Sequence, residues 1–212
     1  MPKKIPNAIA SRRTGDKNPK MPITVSGFAG SGKSTLADRL GEELGLQVIH
    51  ASSILREMAT QGVKALENAS PQKIHDWWES AEAKEFMKRR QQDGSLDIAL
   101  DKKLDEIAKK GNVVMDSWTM PYLYKGDAIR IWLNASATVR ANRVSGRDRL
   151  EYEKVLEKIK TRDAQTKDLY QRLYQFKMGE NLGGFDLVVD TDGLSQGEVF
   201  RIVLAKIKEK IG

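Results

Sequence analysis

The residues of this chain best placed to do chemistry lie within Gly27–Ser34, which reads GFAGSGKS. Gly27, Gly32, Lys33 and Ser34 stand at the spacing of a phosphate-cradling loop. In such a loop the glycines let backbone N–H groups turn toward an anion, and the following helix adds the positive end of its dipole. Ala29, Gly30, Ser31 and Thr35 complete the stretch expected to wrap the phosphates. Lys33 is expected to reach the β- and γ-phosphates, and Ser34 to hold Mg²⁺. The alternative is a flexible glycine turn that binds nothing, and it sits poorly with the flanking sequence.

Those flanks are the elements that must position the loop. Ile23–Val25 reads as a short buried strand, and Thr35–Leu44 as a helix with Leu36, Ala37, Leu40 and Leu44 on one face. Gly45 stops that helix, and Leu46–Ile49 forms a second strand. Ser52 or Ser53 caps the next helix, whose Ile54, Leu55 and Met58 share a face. Arg56 lies near its first turn, either as a clamp on a second phosphate or as a surface arginine. Asn112–Asp116 (NVVMD) is a buried strand that finishes in a carboxylate. Asp116 supports Mg²⁺ or its water in one reading and caps a turn in the other. Ala128–Leu133 and Phe185–Val189 are further strands. Strands alternating with helices predict a parallel sheet covered on both faces.

Three other stretches carry candidate groups. Residues 71–91 read as a helix opened by Pro71, with Trp77, Trp78 and Phe86 either stacking on a base or packing between helices. The helix Ser95–Lys110 places Asp97, Asp101 and Lys102 on a shared face. Arg140, Arg143, Arg147 and Arg149 cluster around Gly146, ahead of a long helical stretch, Leu150 to about Met178, that carries Arg162 and Arg172. Guanidinium forks match phosphate oxygens, so this array reads as a lid over transferring phosphates. The competing reading is a solvated helix whose Glu151, Glu153, Glu157 and Asp163 pair the arginines. His50 and His75 are far apart, with no cysteine beside them, and neither is read as a metal ligand.

Composition narrows the class. A 212-residue chain with 40% hydrophobic and 31% charged residues is expected to form one ordinary globular domain. The lack of cysteine excludes disulfides and thiolate metal sites and is compatible with the cytoplasm. No apolar run approaches the roughly 18 residues of a membrane span, and the N-terminus lacks the apolar stretch of a secretory signal. Residues 1–20 supply +5 of the net charge of +7 and read as a mobile basic arm. The remainder, residues 21–212, is nearly balanced. That argues against a nucleic-acid partner, though a nucleotide-gated module gripping a phosphate backbone with the arm is the rival from another class.

Taken together, the motifs are similar to those of the nucleoside-monophosphate kinases, most closely the cytidylate kinases of the archaeal type. The stretches that carry the resemblance are ITVSGFAGSGKSTLADRLGEELGL, SSILREMA, DGSLDIALDKKLDEIAKKGNVVMD, IRIWLNASATVRANRV, KTRDAQTKDLYQRLY and FDLVVDT. The resemblance implies an α/β P-loop fold in three layers, with a five-stranded parallel sheet and helices on both faces. It also implies a helical monophosphate-binding insert at about 52–110 and a lid at about 143–165. ATP and Mg²⁺ would be the cofactors, a nucleoside monophosphate, CMP or dCMP first, the acceptor, and the protein a monomer. Lys33, Arg143, Arg147 and Arg162 would then act on the transferring phosphates. Arg56, Asp97, Asp101, Lys102 and Asp116 would face the acceptor, and Ser34 and Asp116 the metal. The chain departs from the family pattern where the third strand ends: Asp116-Ser117-Trp118 stands in place of an acid, a glycine and an arginine. Lys102 and Lys103 stand where the preceding helix tends to carry arginine, and Ser52-Ser53 replaces a more usual glycine and acid. These changes fall on the acceptor side. They leave open another nucleotide, or a small hydroxyl compound, as acceptor.

Overall fold

The computed structural model describes residues 21–61 and 81–211. The basic arm and the segment with Pro71, His75, Trp77 and Trp78 lie outside the described residues. Five strands, β1 (Ile23–Ser26), β2 (Gln47–His50), β3 (Val113–Asp116), β4 (Ile129–Asn134) and β5 (Leu187–Asp190), form one parallel sheet in the order β2-β3-β1-β4-β5. Register is set by pairs such as Val25 with Asp116 and with Ile131.

Parallel strands covered on both faces need helices as crossovers. These are α1 (Lys33–Leu44), α2 (Ala51–Gln61), α3 (Ala81–Gln92), α4 (Ser95–Lys110), α5 (Met120–Leu123), α6 (Ala137–Asp148), α7 (Tyr152–Tyr174) and α8 (Gln196–Ile211). The period of two in the strands sorts the core. Ile23, Val25, Val114, Ile129, Ile131 and Leu133 pack with Leu36 and Leu40 of α1 and Val203 and Ile207 of α8. Val113 and Met115 point the other way, to Ile54, Leu55 and Met58 of α2 and Leu100 and Leu104 of α4. Phe86 of α3 is buried in that second layer, so packing is its observed role. Leu40 has no exposed surface, and its truncation to alanine should cost about 2–5 kcal/mol.

Two expectations need correction. Helix α2 begins at Ala51, so Ser52 and Ser53 sit inside it instead of capping it. The single long helix expected from Leu150 to Met178 is α7 alone, ending at Tyr174, where Gln175 turns left-handed and its N–H donates to Gln171 O. The arginines around Gly146 belong to a separate helix, α6, capped by Ser136, whose side chain accepts from the Val139 N–H. Arg149, at φ +56, breaks the chain between the two.

Candidate active site

The loop between β1 and α1 is held by close backbone approaches. Gly27 has φ +150, and a Cβ there would meet Leu133 O and Ser31 Oγ at 2.6 Å. Gly30 has φ +82 and would press a Cβ to 3.1 Å from Arg140 O. Both positions require glycine, and the second seats the loop on α6. Helix α1 opens at Lys33 behind a left-handed Gly32. Its first backbone bond runs from Leu36 N–H to Gly32 O at 3.0 Å. The amides of Lys33, Ser34 and Thr35 precede that bond. They are the orphan donors that make a helix start an anion site.

The end of β3 meets this helix start. Ser34 Oγ donates to Asp116 Oδ2 at 2.5 Å. His50, at the end of β2, lies with Nδ1 3.2 Å from the same carboxylate oxygen and Nε2 2.8 Å from Asp38 Oδ1. Burial alone would raise the Asp116 pKa, but the Lys33 charge and the hydrogen bonds from His50 and Ser34 hold it below the usual carboxylate value. Burial lowers the Lys33 pKa, opposed by Asp116 and reinforced by the Arg162 charge. For His50, burial is outweighed by Asp116 and Asp38, which raise the imidazole pKa.

Ser34 and Asp116 offer two hard oxygen donors beside the loop. Magnesium keeps several waters and leans on one or two carboxylates plus substrate phosphates, so this small donor set fits it. Among the described residues no group of three or more His, Cys, Asp or Glu side chains forms a ready-made cation cage.

A cavity of about 510 Å³ opens from the loop across the end of β3. Ala29, Gly30, Lys33, Ser34, Thr35, Arg56, Asp101, Asp116, Arg147 and Arg162 all line it. The fold thus brings these sequence-predicted residues from six separate stretches to one place. Arg56 is buried in the cavity wall, unlike a surface arginine. Asp101 accepts from Thr119 Oγ1 at 2.5 Å and Tyr174 OH at 2.6 Å. Burial dominates those bonds and pushes its carboxyl up to about 6. Burial, then the neighbouring Arg90 charge, brings Arg162 down to about 10.

Other predicted residues point elsewhere. Gly27, Ser31 and Gly32 shape the loop without lining the cavity. Asp97 is buried against Arg90, whose Nε and Nη2 donate to it at 2.7 and 2.5 Å. Lys102 is solvent-exposed and outside the lining. Arg143 donates to Thr191 Oγ1 at 3.0 Å and Thr191 O at 2.6 Å, also outside it. Arg147 does line the cavity, but its fork rests on Asp148 at 2.6 Å.

Three features are settled only by the fold. His50 links Asp116 to Asp38. Trp118 forms cavity wall. Arg140, read as a lid arginine, is buried and spends its guanidinium on Ala135 O, Ala29 O and Asp163. The one sequence signal available was Asp163 itself, an acid directly after Arg162 that was named only as a generic partner.

A phosphate loop, an acid at the neighbouring strand end and converging arginines on a five-stranded parallel sheet define a P-loop kinase. A gluconokinase from Sinorhizobium meliloti 1021 has this fold, with TM-score 0.50 and 16% identity over 90% of this chain and 93% of that one. The chain belongs to the cytidylate kinase-like family, whose model matches residues 22–193. It is 34% identical to a cytidylate kinase of Pyrococcus horikoshii over 188 residues, covering 89% of this chain and 88% of that protein. It is 34% identical to a cytidylate kinase of Pyrococcus furiosus over 185 residues, covering 87% of each. Among the described residues no helix is long and apolar enough to cross a membrane.

Proposed function

We propose that this protein transfers the γ-phosphoryl group of ATP to the phosphate of CMP or dCMP. The observation that carries the reading is the meeting of Lys33, the Ser34–Asp116 pair, Arg56 and Arg162 around one cavity. The loop amides and Lys33 bind the donor phosphates, while Arg56, which lines the same cavity, takes the acceptor phosphate. Ser34 and Asp116 would hold Mg²⁺, which when bound neutralises charge on the phosphates.

Little covalent chemistry is asked of the side chains. A phosphate monoester is already a competent nucleophile at neutral pH, so no general base is required. The work is in-line alignment and stabilisation of charge on the transferring group by Lys33 and Arg162. Residues 143–165 act as the lid in this reading, bringing Arg147 and Lys158 over the phosphates and excluding water that would otherwise accept the phosphoryl group. Asp101, with its neighbours Thr119 and Tyr174, faces the acceptor. ³¹P NMR of a reaction with Mg-ATP and CMP tests the proposal. The expected products are CDP and ADP; inorganic phosphate with no CDP would overturn it.

A further inference from the structure

We infer that His50 is a positioning residue, a strut that holds the Asp116 carboxylate against the Ser34 hydroxyl at the Mg²⁺ end of the cavity. The inference rests on the reading of Ser34 and Asp116 as the metal donors. Its basis is a closed ring of side chains. Ser34 Oγ donates to Asp116 Oδ2 at 2.5 Å, His50 Nδ1 lies 3.2 Å from the same oxygen, and His50 Nε2 lies 2.8 Å from Asp38 Oδ1. Carboxylates accept, so the imidazole is the donor in both of its contacts. Asp38 stands four residues after Ser34 on α1, which closes the ring through one turn of helix.

The fold fixes each corner. His50 and Asp116 are register partners at the ends of β2 and β3, so their side chains leave the sheet on the same face. Both are buried, and both line the cavity. Asp38, on α1, is the corner outside the cavity lining. The ring thus ties two strand ends to the helix that opens with the phosphate loop.

A serine hydroxyl has one hydrogen. For its oxygen to face a cation with lone pairs, that hydrogen must go to an acceptor elsewhere. Asp116 is that acceptor. The Lys33 charge also acts on this carboxylate. A carboxylate drawn toward Lys33 would leave the Ser34 hydrogen without its acceptor. His50 opposes that movement by anchoring Oδ2 to the end of β2, and Asp38 in turn anchors the imidazole to α1. Among the described residues these acids and His50 do not group into a cation cage, so the part left to His50 is to orient a donor and not to be one.

The residue type supports this. An apolar side chain would fill a buried place at the end of β2 without taking an imidazole out of water. Histidine has a ring nitrogen for each carboxylate, and partners of this kind around metal donors are typically worth about 10–100-fold in metal affinity.

The test uses full-length wild type, His50→Leu, His50→Asn and Asp38→Ala. The probe is adenylyl imidodiphosphate, an ATP analogue that is not hydrolysed, and its Kd is measured by calorimetry with Mg²⁺ and again with EDTA. The ratio of the two values is the gain that the metal brings, read without turnover. In His50→Leu this gain should fall about tenfold, with metal-free affinity unchanged. His50→Asn should keep most of the gain, because its amide can still donate to Asp116. Asp38→Ala should show a smaller loss, again confined to the magnesium form. An undiminished gain in His50→Leu, or an equal loss with and without Mg²⁺, would overturn the inference and leave His50 a packing residue. If His50→Leu fails to fold, Asp38→Ala decides: a loss confined to the magnesium form supports the strut, and no loss overturns it. A wild type that binds the analogue equally well with and without Mg²⁺ would sink the metal placement and the inference with it. The expected pattern in a protein that forms no CDP would support the strut and sink only the acceptor reading.

Discussion

Arg140 and Asp163 form a bidentate pair between α6 and α7, Nη2 to Oδ2 at 2.6 Å and Nη1 to Oδ1 at 3.3 Å. The same guanidinium donates to Ala29 O in the phosphate loop and to Ala135 O after β4, each at 3.0 Å. One buried cation thus ties the loop, the sheet and α7 together, one residue from Arg162. Arg140→Met would strand the Asp163 carboxylate and two carbonyls. The expected loss is about 3 kcal/mol of stability in urea unfolding, since breaking one side of a buried ion pair leaves the other uncompensated. Asp163→Asn should cost less, because Asp163 is 17% exposed and the amide keeps one acceptor oxygen.

Arg162 and Arg143 should behave differently although both were expected to act on phosphates. Arg162 lines the cavity, and Arg143 is spent on Thr191. Removing a cation that meets developing charge typically lowers kcat by about 10²–10³. Arg162→Met should show that loss at saturating Mg-ATP and CMP, with the fold intact by circular dichroism. Arg143→Met should keep kcat near that of the wild type. Equal losses would contradict the placement of the two side chains.

Asp101 should leave a mark on stability as a function of pH. Burial raises its folded pKa to about 6 from 3.8. The folded state therefore binds this proton more tightly than the unfolded chain does. Its contribution is fully present below about pH 4 and is lost as pH rises through 6. A shift of about two units, at 1.36 kcal/mol each, amounts to roughly 3 kcal/mol. Unfolding free energies of wild type and Asp101→Asn, compared from pH 4 to 7, should converge or diverge by an amount of that order over this window. The wild type should be the one that loses ground as pH rises. A constant difference would show that Asp101 is not held protonated by the fold.

How much of this could be read from the chain depended on how local each feature is. The phosphate loop was legible because its chemistry is written in eight consecutive residues with a strand and a helix attached. The sheet was legible because buried parallel strands are short apolar runs bounded by turns. Strand ends moved by one or two residues, as they do when pairing partners decide them. The arginines were legible as a group but not individually. Arg140, Arg143 and Arg147 look alike in sequence, and only the fold gives one to Asp163, one to Thr191 and one to Asp148. His50 was opaque for the same reason. Asp116, 66 positions from His50, is a partner that no local spacing reveals.

The central claim, that this cavity moves phosphate from ATP to a cytidine monophosphate, is tested most directly by ADP formation from Mg-ATP. CMP, dCMP, UMP, AMP and GMP would be offered separately, to the wild type and to Lys33→Ala. The account predicts strong stimulation by CMP or dCMP that disappears in Lys33→Ala. No stimulation by any of the five, with slow ATP hydrolysis that still needs Lys33, would contradict it.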